Sequence, residues 1–239
     1  MSTKLGVNID HVATLRNARG EDHPNIIKAA KEVIKYGADS ITIHVREDQR
    51  HIKKDDALML KQKIKKPINL EMAPTIEMMN FAIRLKPEYV CIVPEKRKEV
   101  TTEGGLNLKN TNLSKIINKL KKKNIKVSLF INPNINDVEK SNKLGVETVE
   151  IHTGSFSKAI NKKDKKKIIS EFQKIKKCKL YCDKTKLNFN LGHGLSYVSL
   201  KYLKKIKGVN EYNIGHFIIG ESLFRGFGNV ITKFKRIIK

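Results

Sequence analysis

The sequence predicts an α/β fold, a (β/α)8 TIM barrel that forms a single domain over residues 1–239. Two observations predict this fold. Short runs of β-branched or apolar residues occur eight times, and segments with the 3.6-residue period of an amphipathic helix separate them. A chain of 239 residues also has the usual length of eight strand–helix units. An open, doubly wound sheet is the main alternative, and the number of runs favours a closed barrel.

The eight runs are the predicted strands. Many of them are followed by Gly, Pro or a cluster of polar residues, which commonly end strands. In chain order they cover residues 5–10, 40–45, 67–73, 88–94, 126–133, 148–154, 186–194 and 211–220.

Apolar periodicity and terminal residues together predict the helices between these strands. In residues 23–37, Pro24 suits the first helical turn and Gly37 supplies a left-handed stop. Three further segments show the same pattern of a polar start and a Gly or Pro end. They are 75–87 with Thr75 and Pro87, 135–145 with Asn136 and Gly145, and 195–208 with Ser196 and Gly208.

The formal net charge of +25 is compatible with nucleic-acid binding, because lysines that neutralise phosphates bind any nucleic-acid sequence. However, the lysines lie along helical stretches such as residues 118–126 and 161–179, with Ile and Leu at helical intervals. This pattern is typical of solvated helix faces. Trp is absent, which weakens any platform for base stacking. We therefore expect no nucleic-acid partner, and a positive field that attracts small phosphorylated substrates.

The sequence has no segment that approaches the roughly 20 apolar residues needed to span a membrane. The first residues also lack the apolar core of a secretion signal. We expect a soluble, cytoplasmic protein without a membrane partner. Cys91, Cys178 and Cys182 are odd in number and lack C-x-x-C spacing, so we expect reduced, structural thiols.

Ionisable and polar residues gather at the carboxyl ends of the predicted strands, where barrel enzymes have their active sites. A single histidine at such an end is more often a structural hydrogen-bonding group than a catalyst. Glu71 is more informative, because a carboxylate in an apolar strand must be paired or have a raised pKa. The convergence of many such residues predicts a site. They are Asn8, Asp10, His11, His44, Arg46, Glu71, Glu95, Lys96, Arg97, Asn132, Glu150, His152, His193 and His216.

Glycines follow the last two predicted strands, in "LGHG" and "NIGHFIIG". Many barrels bind phosphate at this place through backbone N–H groups and a helix N-terminus. Gly192, Gly194, Gly215 and Gly220 are therefore candidates for a phosphate site.

Eight segments, taken in order and spacing, resemble one known family. They are "GVNIDHVATLRNARG", "ITIHVREDQRHI", "NLEMA", "VPEKRKEVTTEGGL", "VSLFI", "EIHTG", "GHGL" and "NIGHFIIG". From about residue 5 to residue 226 the chain resembles the pyridoxine 5'-phosphate synthases of the deoxyxylulose-dependent vitamin B6 pathway. The helices between these segments are divergent and rich in lysine.

This resemblance implies a homo-oligomeric (β/α)8 barrel, typically a homo-octamer, of the transferase class. Such an enzyme condenses 3-amino-2-oxopropyl phosphate with 1-deoxy-D-xylulose 5-phosphate in a ring-closing reaction. The products are pyridoxine 5'-phosphate, inorganic phosphate and water. The resemblance implies no metal and no organic cofactor, and histidine and tuned glutamate suit the repeated proton transfers.

The resemblance also assigns roles to individual residues. It implies that His44 and Glu71 are general bases, that His193 is a general acid, and that Glu150 stabilises a cationic transition state. It implies that Arg19 reaches an active site across a subunit contact. The positions matched to the aminoketone phosphate are Asn8, Arg19, Gly194, Gly215 and His216, and those matched to the pentulose phosphate are Asp10, His11, Arg46, His51 and Thr101.

Two hypotheses of other classes remain open from the sequence. A metal-dependent barrel aldolase or hydrolase that acts on a phosphorylated sugar could use His11, His44, Glu71 and His193 as ligands. A basic barrel that binds nucleic acid without catalysis is the non-enzyme alternative.

Overall fold

A computed structural model describes residues 2–95 and 104–239. It contains eight strands, and each of them overlaps its predicted run. They are β1 Lys4–Asn8, β2 Ser40–His44, β3 Ile68–Met72, β4 Tyr89–Ile92, β5 Lys126–Ile131, β6 Thr148–His152, β7 Asn188–Gly192 and β8 Glu211–Ile214.

The strands form a closed parallel barrel in chain order. The barrel closes where β8 pairs with β1, with Lys4 opposite Glu211 and Val7 opposite Ile214. This closure confirms the predicted (β/α)8 barrel and rules out the open sheet.

Helices surround the barrel, and two of them are additional to the regular strand–helix repeat. The first follows β1 directly, and the second follows β6. In chain order the described helices are α1 Asp10–Arg19, α2 Ile26–Lys35, α3 Lys54–Lys63, α4 Ile76–Leu85, α5 Leu113–Lys121, α6 Ile135–Lys143, α7 Gly154–Asn161, α8 Lys165–Thr185, α9 Tyr197–Leu203 and α10 His216–Ile238.

The predicted helix starts are correct at two positions. Thr75 and Ser196 are N-caps whose side chains accept hydrogen bonds from the backbone N–H groups of Met78 and Ser199. The predicted ends at Gly37 and Gly145 are also confirmed, since both residues have positive φ just after a helix.

Two details of the prediction are wrong, namely the place of Pro24 and the extent of the last strand. Pro24 lies before α2 rather than in its first turn, because Asn25 caps the helix by accepting from Lys28 N–H. Asn136 lies in the first turn of α6, as predicted, and Asn134 caps that helix. The run 211–220 is only half strand, because the chain turns at Gly215 and continues as α10.

The two faces of the strands differ in chemistry. Side chains that face the helices are apolar and fully buried, for example Leu5, Ile43 and Leu70. Several side chains that face the barrel axis are polar, and they bond across intervening strands. Ser40 on β2 donates to Glu211 on β8, although β1 lies between those strands. The barrel therefore contains a polar interior beneath its carboxyl end.

Among the described residues, no helix combines the length and the apolar character that crossing a membrane requires.

Candidate active site

The carboxyl ends of β1 and β2 are joined through Asp10. The Asn8 side chain donates to Asp10 Oδ2 at 2.8 Å, and the Asp10 backbone N–H donates to Asn8 Oδ1 at 2.9 Å. The backbone N–H of His44 donates to Asp10 Oδ1 at 2.8 Å. Burial raises the pKa of Asp10, although the neighbouring His44 opposes that rise. Asp10 therefore orders the site in addition to its predicted place beside a substrate.

His44 lies between two carboxyl groups. Its Nδ1 is 3.7 Å from Glu71 Oε2, and its Nε2 is 3.5 Å from Glu95 Oε2. These separations exceed those of formed hydrogen bonds, which is common in active sites before substrate binds. A proton can therefore pass between His44 and a carboxyl group after a small movement.

The two carboxyl groups beside His44 differ in their titration. Burial, then the charges of Asp10 and Glu150, raise the pKa of Glu71 well above its ordinary value. Burial acts in the same direction on Glu95, but contacts with His44, Glu47 N–H and Arg46 outweigh it and lower the pKa. The surroundings of Glu95 therefore favour its ionised form, whereas those of Glu71 favour its protonated form.

Glu150 occupies the same mouth of the barrel from β6. Burial raises its pKa to about 7, a hydrogen bond from Asn213 opposes that rise, and the charge of Glu211 adds to it. The Asn213 side chain donates to Glu150 Oε2 at 2.6 Å. A carboxyl group with this pKa changes its charge within the physiological range.

His193 follows β7 and is paired with a second histidine. Its backbone has φ of 73°, in the left-handed region, and Thr153 Oγ1 lies 2.6 Å from its carbonyl oxygen. The ring of His193 lies 4.7 Å from that of His152, between centroids. Burial, then the charge of His193, lowers the pKa of His152 to about 4. His152 is therefore neutral at neutral pH.

Three histidines that the sequence assigns to phosphate binding lie together. The ring of His11 is 5.7 Å from that of His51 and 5.2 Å from that of His216. Burial lowers the pKa of His51 to about 4 and also lowers the pKa of His11. Neutral imidazoles bind phosphate by donating an N–H group rather than by charge.

Arg46 supplies a buried positive charge next to this group. It is 2% exposed, and its Nε lies 3.8 Å from Glu95 Oε1 and 3.6 Å from Asp48 Oδ1. The Arg46 charge is thus held near the carboxyl end of β2 by acidic neighbours.

The glycines predicted for a phosphate site lie in different local structures. Gly215 contacts Asn8, since a Cβ at Gly215 would lie 2.9 Å from the Asn8 Cβ. Gly194 has φ of 74° and follows His193 directly. Gly220 lies inside α10, one turn beyond His216, the first residue of that helix, and its place in a phosphate site stays a prediction.

One predicted residue, Arg19, lies apart from this cluster. The side chain of Arg19 is 76% exposed and lies 3.5 Å from Glu21, at the end of α1. Thr101, with Lys96 and Arg97, lies outside the described residues.

The sequence did not single out several residues that hold the site in place. Thr14 Oγ1 lies 2.7 Å from His51 Nδ1, and the Asn17 side chain donates to the His51 carbonyl oxygen at 2.8 Å. Arg16 forms a bidentate ion pair with Asp56 at 2.7 and 2.8 Å. Thr14, Arg16 and Asn17 all lie on α1. The polar residues in "HVATLRNARG" were the feature of the sequence that could have indicated these contacts.

A possible metal site differs from the predicted ligand set. Among the described residues, Asp10, His44 and Glu71 offer ligand atoms within 4.8 Å of one another, and His11 and His193 are not part of that group. The raised pKa values of Asp10 and Glu71 disfavour the ionised carboxylates that a metal requires. A metal ion that bound here would have to displace the protons that burial favours on these carboxyl groups.

The fold and the site together define a (β/α)8-barrel enzyme with paired histidines and carboxyl groups for acid–base chemistry. Comparison with known proteins identifies the family. The chain belongs to the family described as pyridoxal phosphate biosynthesis protein PdxJ, whose model matches residues 5–239. The resemblance noted in the sequence is thereby confirmed.

Curated relatives cover almost the whole chain. A pyridoxine 5'-phosphate synthase of Pelagibacter ubique (strain HTCC1062) is 50% identical over 236 residues, with 98% of each chain covered. A protein of the same name from Ehrlichia chaffeensis (strain ATCC CRL-10679 / Arkansas) is 45% identical over 236 residues, covering 98% of this chain and 96% of the relative.

Solved structures of lower identity share the fold. The 3-keto-L-gulonate-6-phosphate decarboxylase from Vibrio cholerae O1 biovar El Tor has a TM-score of 0.67 at 9% identity, covering 100% of this chain and 98% of that one. A thiamine phosphate pyrophosphorylase from Pyrococcus furiosus has a TM-score of 0.65 at 10% identity, covering 98% and 95%. At these identities the likeness concerns the barrel alone.

Proposed function

We propose that this protein is a pyridoxine 5'-phosphate synthase. It condenses 3-amino-2-oxopropyl phosphate with 1-deoxy-D-xylulose 5-phosphate to give pyridoxine 5'-phosphate, inorganic phosphate and water. The observation that carries the proposal is the position of His44 between Glu71 and Glu95, at 3.7 and 3.5 Å. Membership of the PdxJ family supports the same reaction.

The reaction needs groups that move protons several times. The aminoketone supplies the amine for imine formation with the pentulose ketone, so no enzyme lysine is required. Loss of water from the carbinolamine, enol formation, phosphate elimination and ring closure then each move protons. His44 and Glu71 act as general bases, and His193 acts as general acid.

Ionised Glu95 fixes the proton arrangement of His44. A carboxylate beside Nε2 favours the tautomer with its proton on that nitrogen, which leaves Nδ1 free to accept one. Nδ1 faces Glu71, whose pKa is raised well above its ordinary value. The pair can therefore exchange one proton with a substrate. Glu150 supplies negative charge for a cationic transition state.

The two substrate phosphates are held at separate places, because only the pentulose phosphate leaves. Asn8, Gly194, Gly215 and His216 hold the aminoketone phosphate, together with Arg19. The contact of Gly215 with Asn8 supports this grouping. Asp10, His11, Arg46, His51 and Thr101 hold the pentulose phosphate. His11 lies near His51 of this group and also near His216 of the other group, so the two phosphate places adjoin at His11.

The protein assembles with copies of itself, and we expect an octamer. Large apolar side chains are exposed on the contacting helices α1 and α10: Leu15 by 54%, Leu223 by 72% and Phe224 by 87%. Exposed apolar groups of this size commonly mark a protein interface. Arg19 is exposed on the same helix α1, which suits an arginine that enters a neighbouring subunit.

We also place the protein in the cytoplasm. Cys91, Cys178 and Cys182 are buried free thiols, which suit a reducing compartment.

A direct assay tests the proposed function. Purified protein is incubated with both phosphates, and the ultraviolet absorbance of the pyridine ring and the released inorganic phosphate are followed. We expect one phosphate released per ring formed, and neither signal when either substrate is omitted. Phosphate release without ring formation would instead indicate a phosphatase.

A metal-dependent aldolase or hydrolase is the second candidate, because Asp10, His44 and Glu71 lie within ligand distance of one another. Activity should survive exhaustive treatment with EDTA, since these groups are assigned to proton transfer. Loss of activity with EDTA and its return with Zn²⁺ or Mn²⁺ would establish the metal-dependent alternative.

A further inference from the structure

A chain of hydrogen bonds inside the barrel ends on Glu150. The Asn69 side chain donates to Thr42 Oγ1 at 3.5 Å, and Thr42 Oγ1 donates to Asn213 Oδ1 at 3.3 Å. Asn213 Nδ2 donates to Glu150 Oε2 at 2.6 Å. All four residues are buried, so water does not compete strongly for these bonds.

Two glycines make this arrangement possible. A Cβ at Gly6 on β1 would lie 2.0 Å from Asn213 Oδ1, and a Cβ at Gly192 on β7 would lie 2.0 Å from Glu150 Oε1. Each glycine lies on a strand between two of the bonded residues. Because Gly6 and Gly192 have no side chains, the Asn213 and Glu150 side chains can occupy this space and contact each other.

The bond from Thr42 orients the amide of Asn213. Because the Thr42 hydroxyl donates to the amide oxygen, the amide NH2 group faces Glu150. An NH2 group only donates hydrogen bonds, and a donor favours the carboxylate over the neutral acid. Asn213 thus acts on the charge of Glu150 and not only on its position.

The remaining surroundings of Glu150 act in the opposite direction. The titratable groups that interact with it are Glu71 on β3, Cys91 on β4 and Glu211 on β8. Each of them is neutral or negative, and burial adds to their effect. Among the described residues, the Asn213 amide lowers the pKa of Glu150 and so favours its ionised form.

We propose that Asn213 is a positioning residue for the reaction: its amide, oriented by Thr42, donates to Glu150 and favours the ionised form that can stabilise a cationic transition state. The proposal rests on the proposed function for the role of Glu150. The hydrogen bond to Glu150 itself is independent of that function.

Loss of the donor should change both the titration of Glu150 and the pH dependence of turnover. A hydrogen bond to a charged group corresponds to about one to two units of pKa. The titration midpoint of Glu150 would rise from about 7 by that amount. Because less Glu150 is then ionised at pH 7, kcat at this pH should fall roughly five- to fiftyfold. It should recover as the pH rises above the new midpoint, because Glu150 is then ionised again. A purely structural role would give no such recovery.

The test follows Glu150 in the protein without substrate. The infrared band of its protonated carboxyl group is titrated against pH and assigned by its loss in Glu150→Gln. The variants are Asn213→Leu, which removes the donor, and Thr42→Val, which removes the hydroxyl that orients it. Thr42→Ser is the matched control, since it keeps the hydroxyl. The kcat–pH profile is measured for the same proteins.

We expect the Glu150 midpoint to rise by about one to two units in Asn213→Leu and by less in Thr42→Val, with Thr42→Ser unchanged. If Asn213→Leu does not fold, a rise in Thr42→Val but not in Thr42→Ser supports the proposal. An unchanged midpoint in Asn213→Leu, or equal shifts in the two Thr42 variants, overturns it. Failure of the wild-type protein to form pyridoxine phosphate would refute the proposed function and leave the titration result intact.

Discussion

At the scale of single residues, the surroundings shift the pKa values of chemically identical carboxyl groups in opposite directions. Glu71 and Glu95 both face His44, yet burial dominates the first and contacts with cations and N–H donors dominate the second. The pKa of Glu71 is therefore raised and that of Glu95 lowered, which suits the proposed exchange of protons at Glu71. Similar division of two carboxyl groups by their surroundings is a general route to acid–base catalysis at neutral pH.

Arg46 gives a prediction at this scale. A charge-assisted hydrogen bond from arginine to a phosphate is worth about 1.5–3 kcal/mol, or roughly a ten- to hundredfold change in affinity. We expect Arg46→Ala to raise KM for deoxyxylulose phosphate by that factor and to leave KM for the aminoketone within about threefold. Arg46→Lys should recover only part of the loss, because lysine lacks the planar fork. Steady-state kinetics with each substrate varied separately measure this.

Arg84→Ala on the exposed face of α4 is the matched control and should leave both KM values unchanged. Equal losses for both substrates in Arg46→Ala, or a loss confined to the aminoketone, would reverse the assignment of the two phosphate sites.

At the scale of elements, α1 holds the loop between β2 and α3 in place. Thr14, Arg16 and Asn17 on α1 contact His51, Asp56 and the backbone of the loop. A short helix directly after β1 thus positions residues that follow β2. These contacts explain why α1 carries the polar residues Arg16 and Asn17 on the side that faces this loop.

Thr14 tests this element. Its hydroxyl lies 2.7 Å from His51 Nδ1, and a hydrogen bond of this kind contributes about 0.5–1.5 kcal/mol. We expect Thr14→Val, which keeps the side-chain volume, to raise KM for deoxyxylulose phosphate roughly two- to tenfold with little change in kcat. Thr14→Ser keeps the hydroxyl and should stay near the wild type. The same loss in both variants would show that the methyl group, and not the hydrogen bond, matters.

The elements also show what the sequence could predict. Strands such as residues 40–45 were predictable because β-branched runs and the polar residues after them are local signals. The start of α2 was not, because Pro24 and Asn25 are both plausible helix-start residues and only the backbone decides between them. Glu71 was predictable as a buried acid in an apolar strand. The roles of Glu95 and Asn213 were not, since each depends on a partner far away in the chain.

At the scale of the whole molecule, the positive charge and the site are separate features. Lysines cover the outer helices, whereas the mouth of the barrel is built from histidines and acids. The exposed apolar groups on α1 and α10 are where we propose that copies of the chain meet. Activity would then depend on assembly through Arg19.

Mixing two inactive variants tests this dependence. Arg19→Ala lacks the arginine that we propose enters the neighbouring site, and His193→Ala lacks the proposed general acid of its own site. Under conditions of subunit exchange, mixed oligomers should contain some sites with both groups and should recover partial activity. Each variant alone, treated identically, is the control. Absence of any recovery despite demonstrated exchange would mean that each Arg19 serves its own barrel.

The central claim is that Glu71, next to His44, transfers protons during ring formation. The most direct measurement is kcat of Glu71→Gln with both substrates saturating, beside the control Glu88→Gln, which makes the same change near the amino end of β3. We predict that Glu71→Gln folds, binds both substrates and loses roughly a hundredfold or more in kcat, while Glu88→Gln turns over nearly as the wild type does. Near-normal turnover in Glu71→Gln would contradict the account.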